Sequence, residues 1–408
     1  MGDFNTSNAI DTIRDVRIPP PWFIDASKRV AKSIERADEY IHPLSAEKTW
    51  SHAPTHYLIK KSILQADDAS YKTLLMESRA KQTLRTLVGN HIFLQVEPNW
   101  DKWTTRLVVI HAQDIANIIR RKKATALCLQ SACIFWGAPL LCVQPTTSIL
   151  IERKNRSARR YSQHSHMFPK NTVKTVTYQC CSSDITRIDG IPVTSRLRTL
   201  LDVLARFPEP DYIVPGDALL RALVDYDDLR RVYSEDKFEH VRKDFHSLVS
   251  EQPSRFPKRK VLQRFSVLHP ASESPLESVT RFFLHALGIM GYQLQYPVMY
   301  QDLGGYPRPL NREEQRRYHP SSDGPVKTVF VDIAIPMKGF ALECDGAAKK
   351  LGGYSSVEAN EKRLWKKQNE QNQRDAILQW HFTDVVHLDW RRLWNWNSFI
   401  YAIRKLFA

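Results

Sequence analysis

The sequence predicts a chain of two or more mixed domains, with an α+β N-terminal region followed by an α/β C-terminal domain. Three observations lead to this prediction. The chain has 408 residues, which exceeds the usual size of a single hydrophobic core. A polar, proline-containing stretch at 251–260 interrupts the helical patterns and marks a domain boundary. After it, the predicted order of elements is helix, hairpin, helix, strand and helix.

The first part of the chain is predicted to be an extension, residues 1–70, followed by a helix-rich region at 71–140. Leucines spaced at helical intervals among basic residues predict a helix from residue 71 to Gly89. Three further elements, one strand and two helices, are predicted at 91–96, 112–122 and 124–135. Helices followed by a short strand pair are compatible with a winged helix-turn-helix, in which Lys81 and Arg85 flank a groove.

The next region, 141–255, is predicted to be an α+β region that begins with strands and ends with helices. Alternating β-branched residues predict strands at 147–151, 174–179 and 186–188. Ser195 is the expected N-cap of the first helix, and two further helices are predicted at 217–224 and 237–249.

The C-terminal domain is predicted to span residues 265–408. It opens with a helix whose N-cap is Ser274, with Glu277 three residues later as in a capping box. A hairpin follows, and the remaining predicted elements are a long charged helix, a strand and a final helix, at 357–378, 384–388 and 393–406.

The hairpin is predicted to bring three carboxylates onto one face. A two-residue turn at 337–338 places Asp332 opposite Glu343, and Asp345 joins Glu343 because residues two apart on a strand share a face. Like charges directly across a ladder destabilise the pair, and oxygen ligands suit divalent cations. We therefore expect a divalent-cation site here. The alternative is an acidic face that is solvated or paired with lysines.

Composition indicates a polyanionic partner and an intracellular setting. The formal net charge is +15 and the pI is about 9.5, which makes a polyanion, such as nucleic acid or another phosphate-rich molecule, the expected partner; the alternative is a generic solvated basic surface. None of the six cysteines forms a CxxC pair, as expected for reduced thiols. No signal peptide and no run of 18 apolar residues is present, so we expect a cytoplasmic protein without membrane association.

Clusters of basic side chains are the candidate phosphate contacts. Besides the two basic residues of the helix-turn-helix region, the candidates are Arg153, Lys154, Arg159, Arg160, Lys258, Arg259, Lys260 and Arg374. Phosphate contacts of this kind give a salt-dependent affinity. Each basic run taken alone is also compatible with a solvated face.

The hairpin carboxylates, with Glu277 on the preceding helix, resemble the PD-(D/E)XK nuclease fold. The strings VDIAIP, ALECDGAAK, RDAIL and VVHLDWRRL are similar to the small Vsr-like endonuclease domains that follow an AbiEi-type winged-helix region in actinobacterial proteins. The strings LQSACIFWGAPLL, RIDGIPVTSRLRTLLDVLARF and PGDALL resemble the AbiEi-type antitoxin region of the same proteins. The resemblance covers about 71–408. It implies an AbiEi-like region at 141–255 and a restriction-endonuclease-like α/β domain at 265–408.

This resemblance implies Mg²⁺-dependent hydrolysis of phosphodiester bonds. Asp332 and Glu343 would hold the metal, the main-chain carbonyl of Cys344 is a further candidate ligand, and Glu277 would hold metal-bound water or a second ion. Because Ser274 and Glu277 also form a capping box, a purely structural role for Glu277 is the alternative.

The chain departs from the family pattern at the position of its catalytic lysine. The pattern ends E-x-K, and this chain has Asp345 there; Lys349, four residues later, matches the lysine of the family's DGxxK string and is the candidate replacement. The stretch 369–375 has fewer arginines than the similar domains, and Arg374 remains. Both departures bear on whether the site is active.

Two functions follow from these observations. The first is a DNA-binding, Mg²⁺-dependent endonuclease in phage defence or a toxin–antitoxin pair, with a protein partner in the latter. The second is an AbiEi-like transcriptional regulator or antitoxin whose nuclease-like domain is inactive. The carboxylate pair Asp332 and Glu343 favours the first, whereas Asp345 at the lysine position favours the second.

Overall fold

The chain forms mixed α and β structure with mixed sheets. The computed structural model describes residues 18–38, 63–65, 85–88, 92–95, 110, 114, 118, 126–144, 146–150, 163–165, 168–176, 182–188, 191–302, 307–310, 313–314, 326–345 and 357–407. Numbered among these residues, the helices are α1 (Pro21–Asp38), α2 (Leu129–Phe135), α3 (Arg196–Arg206), α4 (Ile213–Leu223), α5 (Glu235–Ser250), α6 (Lys258–Phe265), α7 (Pro275–Ala286), α8 (Val357–His381), α9 (Trp390–Leu393) and α10 (Trp396–Ile403).

The strands are numbered in the same way. They are β1 (Ile63–Gln65), β2 (Arg85–Val88), β3 (Ile92–Gln95), β4 (Ala126–Leu127), β5 (Thr146–Leu150), β6 (Gln163–Ser165), β7 (Phe168–Val176), β8 (Ile185–Ile188), β9 (Ile191–Thr194), β10 (Gln293–Asp302), β11 (Pro307–Pro309), β12 (Val326–Ile335), β13 (Phe340–Cys344) and β14 (Asp384–Leu388). They form sheets of three, five and six strands.

The described residues divide into two compact units. The C-terminal unit draws its residues from Met1–Ile24, Asp227–Val232 and Ala271–Ala408, and the central unit from Asp25–Tyr226 and Tyr233–Pro270. The division falls after Pro270, later than the polar stretch in which the sequence analysis placed the boundary. The reason is that α6, which follows that stretch, packs against α3 and α5 within the central unit.

The central unit contains the two sheets formed by β1 to β9. One has the order β1–β3–β2 and the other the order β6–β7–β5–β4–β9–β8. The predicted strands at 147–151 and 186–188 are confirmed as β5 and β8, and Ser195 caps α3 by accepting from the Arg198 N–H at 3.2 Å. Leu127, Phe135 and Val193 form part of the core between the six-stranded sheet and α2.

The helix predicted from residue 71 to Gly89 is wrong over Arg85–Val88, which is strand β2. This strand pairs antiparallel with β3, and the strand predicted at 91–96 is confirmed as β3. The β-branched Thr86 and Val88 favour a strand over a helix, and the pairing of β2 with β3 overrides the helical spacing of the leucines. Arg85 therefore lies on a strand and not on a recognition helix.

The C-terminal unit contains the five-stranded sheet, with the order β11–β10–β12–β13–β14. Strands β10, β12 and β13 are antiparallel neighbours, whereas β14 pairs parallel with β13. The long helix α8 connects β13 to β14, as a parallel connection requires. Ser274 is the N-cap of α7 and accepts from the Glu277 N–H at 3.2 Å, so this predicted helix start is confirmed.

The predicted register of the β12–β13 hairpin is confirmed. Ile333 pairs with Leu342, and the same register places Asp332 opposite Glu343. The connection is a single 3-10 turn, Pro336–Lys338. Each residue of β13 is buried, so the carboxylate of Glu343 lies inside the fold and not on a solvated face.

Apolar and aromatic side chains cover the five-stranded sheet and its helices. Val331, Ala341 and Leu378 belong to one cluster between the sheet and α8. A second cluster is aromatic and contains Trp22, Phe23, Phe282, Phe283, Trp394, Trp396 and Phe399. Burying each such ring stabilises the fold by about 1.5–3 kcal/mol.

Two further features concern the apolarity of the helices and the state of the cysteines. Among the residues that the structure describes, no helix is both long enough and apolar enough to span a bilayer. The cysteines Cys128, Cys133, Cys142 and Cys344 are buried thiols.

Candidate active site in the C-terminal unit

The site begins with the two carboxylates of the hairpin. Asp332 is the last polar residue before the buried end of β12, and its side chain is only 5% exposed. Its Oδ2 accepts a hydrogen bond from the main-chain N–H of Cys344 at 2.7 Å. Glu343 on β13 is 1% exposed. Because a buried carboxylate is costly unless it is paired, both residues indicate a specialised environment.

Glu277 on α7 is the third carboxylate of this site. Its oxygens accept hydrogen bonds from the main-chain N–H of Glu273 at 2.8 Å, the hydroxyl of Ser274 at 2.7 Å and the amide of Gln295 at 3.0 Å. Burial, and then the nearby charge of Asp332, raise the pKa of Glu277 to about 8. The capping interaction is therefore present, and Glu277 is also electrostatically linked to the hairpin.

Arg374, a candidate phosphate contact, lies against Glu343. Its guanidinium donates to Glu343 Oε2 at 2.8 Å and to the carbonyl of Phe330. Helix α8 places the arginine over the sheet at this point, since it crosses from β13 to β14. The positive charge on Arg374 partly offsets the buried carboxylates.

Asp345, at the position of the family's lysine, contacts a histidine. Its Oδ2 lies 2.9 Å from Nδ1 of His387, and Nε2 of the same ring lies 3.2 Å from Asp375 Oδ1. Only the imidazolium form donates from both nitrogens. The hydrogen bond to Asp345 raises the pKa of His387, against the opposing effect of burial. Lys349, the proposed replacement for the lysine, lies outside the described residues.

Sequence reasoning missed two residues that support Glu277. Gln295 is buried and accepts a hydrogen bond from Arg231, which also pairs with Glu273 at 3.3 Å. Gln295 and Arg231 both have a left-handed backbone, with φ values of 49° and 56°. Such strain in non-glycine residues is often associated with functional sites. No local sequence signal marks these contacts, because Arg231 and Gln295 are far apart in the chain.

The donor atoms of the site fit Mg²⁺ in type, since all three side chains offer carboxylate oxygens. Burial, and then the charge of Asp332, raise the pKa of Glu277, and a divalent cation would relieve the repulsion between the two carboxylates. The present arrangement commits Asp332 to the Cys344 N–H and Glu343 to Arg374. Within the part of the chain that the structure describes, no group of three or more His, Cys, Asp or Glu side chains is arranged around a metal position.

The predicted ligand atom of Cys344 is its main-chain carbonyl oxygen, and its thiol is unsuited to that role. It is buried beside Thr280, and burial together with the charges of Asp332 and Glu277 raises its pKa well above the ordinary value. A thiol in this environment stays protonated, and a protonated thiol is a poor ligand.

The remaining predicted phosphate contacts fall elsewhere. Lys258, Arg259 and Lys260 form the first turn of α6 in the central unit, where the latter two are exposed. Arg85 lies on β2, and its side chain is not described. The others lie outside the described residues: Lys81, Arg153, Lys154, Arg159 and Arg160. The structure thus brings together Glu277, Asp332, Glu343 and Arg374 in one unit.

Comparison with known proteins adds no identification. No protein-family model matches this chain, and no curated protein or solved structure matches it either.

Proposed function

We propose that the chain is an intracellular DNA-binding protein whose C-terminal unit hydrolyses phosphodiester bonds with Mg²⁺. The observation that carries the proposal is the β12–β13 register, which aligns Asp332 with Glu343 on neighbouring strands; both carboxylates are buried, and the charge of Asp332 acts on Glu277. The order α7, four antiparallel strands, α8 and a parallel strand also agrees with the restriction-endonuclease-like fold that the resemblance implies.

In this proposal each side chain has a defined task. Asp332 and Glu343 would hold the ion through their oxygens, and bound Mg²⁺ would supply a Lewis acid and an activated water. Gln295 and Ser274 fix the orientation of the Glu277 carboxyl, which carries a proton at neutral pH because its pKa is about 8. Arg374 supplies a positive charge beside Glu343, in the absence of a lysine at position 345.

Metal-dependent cleavage of supercoiled plasmid and of single-stranded DNA tests this proposal. We expect nicking with Mg²⁺ or Mn²⁺, none in EDTA, and a loss of rate of about 100-fold or more in Asp332→Asn and in Glu343→Gln. These substitutions keep the shape of each side chain and remove its charge. The matched control is Asp302→Asn, which removes a carboxylate that pairs with Lys327 at the surface of the same sheet. Cleavage that survives in EDTA or in both site variants would contradict the assignment.

A second function is favoured by two specific contacts. The ion pair of Arg374 with Glu343, and the contact of Asp345 with His387 where the family has a lysine, are suited to a nuclease-like domain that has lost catalysis. The protein would then be a DNA-binding regulator. Salt-sensitive DNA binding without cutting by any form of the protein, in either metal, would select this function over the first.

A further inference from the structure

A groove along the edge of the five-stranded sheet has the chemistry of a nucleic-acid site. Strand β14 is the edge strand, and α10 packs against it. Between them lies a cavity of about 530 Å³ whose polar lining consists of His387, Arg392, Asn397, Ser398, Tyr401 and Arg404. We call it the β14 groove. None of the candidate contacts predicted from the sequence lies in it.

The β14 groove is positively charged. Residues 390–407 contain four basic and no acidic residues. Arg392 donates to the main-chain carbonyl of His387 at 2.8 Å, which anchors its guanidinium at the groove. Arg404 donates to the carbonyl of Tyr401 at 2.7 Å. Both arginines are exposed, and the printed partners of their guanidinium groups are main-chain carbonyls, which leave the positive charges accessible to an anion. Guanidinium groups suit phosphate oxygens, which accept from two N–H groups at once.

An aromatic surface stands beside these charges. The side chain of Tyr401 is 66% exposed, which is unusual for a large ring. The guanidinium carbon of Arg404 lies 3.8 Å from the ring centroid of Tyr401, so one face of the ring is covered by a cation. A positive groove with an exposed aromatic ring is the arrangement with which proteins bind single strands, because bases stack on the ring while arginines contact the backbone.

The β14 groove also adjoins the carboxylate site. His387 lines the groove, and its ring lies 2.9 Å from Asp345. His387 is in addition the direct neighbour of Glu343 across the β13–β14 pair. A nucleic-acid strand bound in the groove would therefore pass His387, which is the neighbour of Glu343, a proposed metal-binding carboxylate.

We propose that the β14 groove binds a single strand of nucleic acid, with phosphates on Arg392 and Arg404 and a base stacked on Tyr401. This inference rests on the proposed DNA-binding function and names the surface and the form of the substrate. An unpaired strand is specified because a base in a duplex does not expose its face to a side chain.

Binding of a fluorescent oligonucleotide of about 12 nucleotides to the full-length protein tests the proposal, with fluorescence anisotropy measured over a range of salt concentrations in EDTA. For Arg392→Ala/Arg404→Ala we expect about 10-fold weaker binding and a slope of log affinity against log salt that is smaller by about 1.4, since two phosphate contacts are lost. Arg392→Lys/Arg404→Lys keeps both charges and should keep the slope.

Tyr401 is tested separately. Tyr401→Ala should weaken binding by at least about 5-fold with an unchanged salt slope, because no charge is lost, and Tyr401→Phe should bind like the wild type. The matched control is Arg391→Ala: this arginine is exposed on α9 next to Arg392, but does not line the groove. A duplex of the same sequence should bind more weakly and should not respond to Tyr401→Ala.

The outcomes separate the two proposals. If the wild type binds the oligonucleotide and the double alanine variant binds it equally well with the same salt slope, the β14 groove is not the binding site. DNA binding then takes place elsewhere on the protein. If polyglutamate displaces the oligonucleotide as well as unlabelled DNA does, the groove is a site for acidic peptides and this inference is overturned. If the wild type binds no nucleic acid, the proposed function itself fails.

Discussion

At the scale of single residues, the charge of His387 depends on two neighbouring carboxylates. Both ring nitrogens face carboxylates, from Asp345 and Asp375. The pKa of His387 is raised, so the folded protein holds the proton more tightly than the unfolded chain does. The resulting stabilisation is fully present below the ordinary histidine pKa of 6.5 and is lost as pH rises through the higher folded value.

Asp345→Asn should therefore lower stability in a pH-dependent way. We expect a loss of about 1 kcal/mol in the free energy of unfolding at pH 6 and less than half of that at pH 9, because the charge-assisted hydrogen bond exists only while His387 is protonated. Urea denaturation of the wild type and of Asp345→Asn at the two pH values measures this loss of stability. Asp384→Asn is the matched control, on β14, the strand that carries His387: this aspartate pairs with Lys405 and not with a histidine, so the effect of its replacement should be the same at both pH values. Equal losses for Asp345→Asn at both pH values would contradict the prediction.

The sequence allowed some residues of the site to be predicted and not others. Asp332 and Glu343 were predictable because a short turn fixes the register of both strands. Arg374 was also named, but as a phosphate contact, and its pairing with Glu343 depends on how α8 crosses the sheet. Gln295 and Arg231 were not predictable, since their hydrogen bond joins distant segments and requires a backbone conformation that non-glycine residues seldom adopt.

At the scale of elements, the β12–β13 hairpin depends on its turn. Gly339 closes the turn with a left-handed φ of 59°, and its N–H donates to the carbonyl of Pro336 at 3.1 Å. A Cβ at this position would lie 3.0 Å from the hydroxyl of Thr383. The register that aligns Asp332 with Glu343 therefore depends on the absence of a side chain at residue 339.

Gly339→Ala should destabilise the C-terminal unit by about 2 kcal/mol, part from the left-handed backbone and part from the contact with Thr383. Gly288→Ala provides the comparison. Gly288 has a φ of 72°, and a Cβ there meets nothing within 4 Å, so only the backbone cost of about 1 kcal/mol should appear. Chemical denaturation of both variants gives the difference. An equal cost for the two would show that the Thr383 contact has no effect.

Local sequence patterns predicted some elements correctly and others wrongly. Strand β14 was predicted with its observed bounds, because Val385 and Val386 lie between a long helix and a capping Asp389. The stretch around β2 was assigned to a helix, because leucines at helical spacing also fit a strand that pairs through a hairpin. Whether such a stretch forms a helix or a strand depends on which strand it can pair with, and the local sequence pattern does not show this.

At the scale of the whole molecule, the C-terminal unit is assembled from three separated stretches of chain. Trp22, at the start of α1, packs its ring 5.1 Å from Phe283 and 5.2 Å from Phe282, measured between ring centroids. The turn Asp227–Val232 supplies Arg231 to the same unit. The sequence suggested a contiguous C-terminal domain. It gave no sign that Trp22 and the turn Asp227–Val232 belong to this unit, because both are far from residues 271–408 along the chain.

Trp22→Ala in the full-length chain should destabilise the C-terminal unit by about 2 kcal/mol, because a partly exposed indole leaves a gap among aromatic rings. We expect faster hydrogen exchange in α7 and α10. Trp380→Ala is the control, as Trp380 is in the same unit but is 42% exposed. Exchange that is unaffected in the Trp22 variant, or equally affected in the control, would refute the role assigned to Trp22.

The segmented origin of the C-terminal unit has a consequence for synthesis on the ribosome. The last residue of the central unit is Pro270, whereas the C-terminal unit needs β14 and α10 before its sheet and aromatic cluster can close. Domains fold as units while the chain emerges, so the central unit can finish folding first. At that stage Trp22 and Arg231 have been translated, but the residues that they contact in the C-terminal unit have not. The proposed hydrolytic centre is therefore expected to form after the central unit has folded.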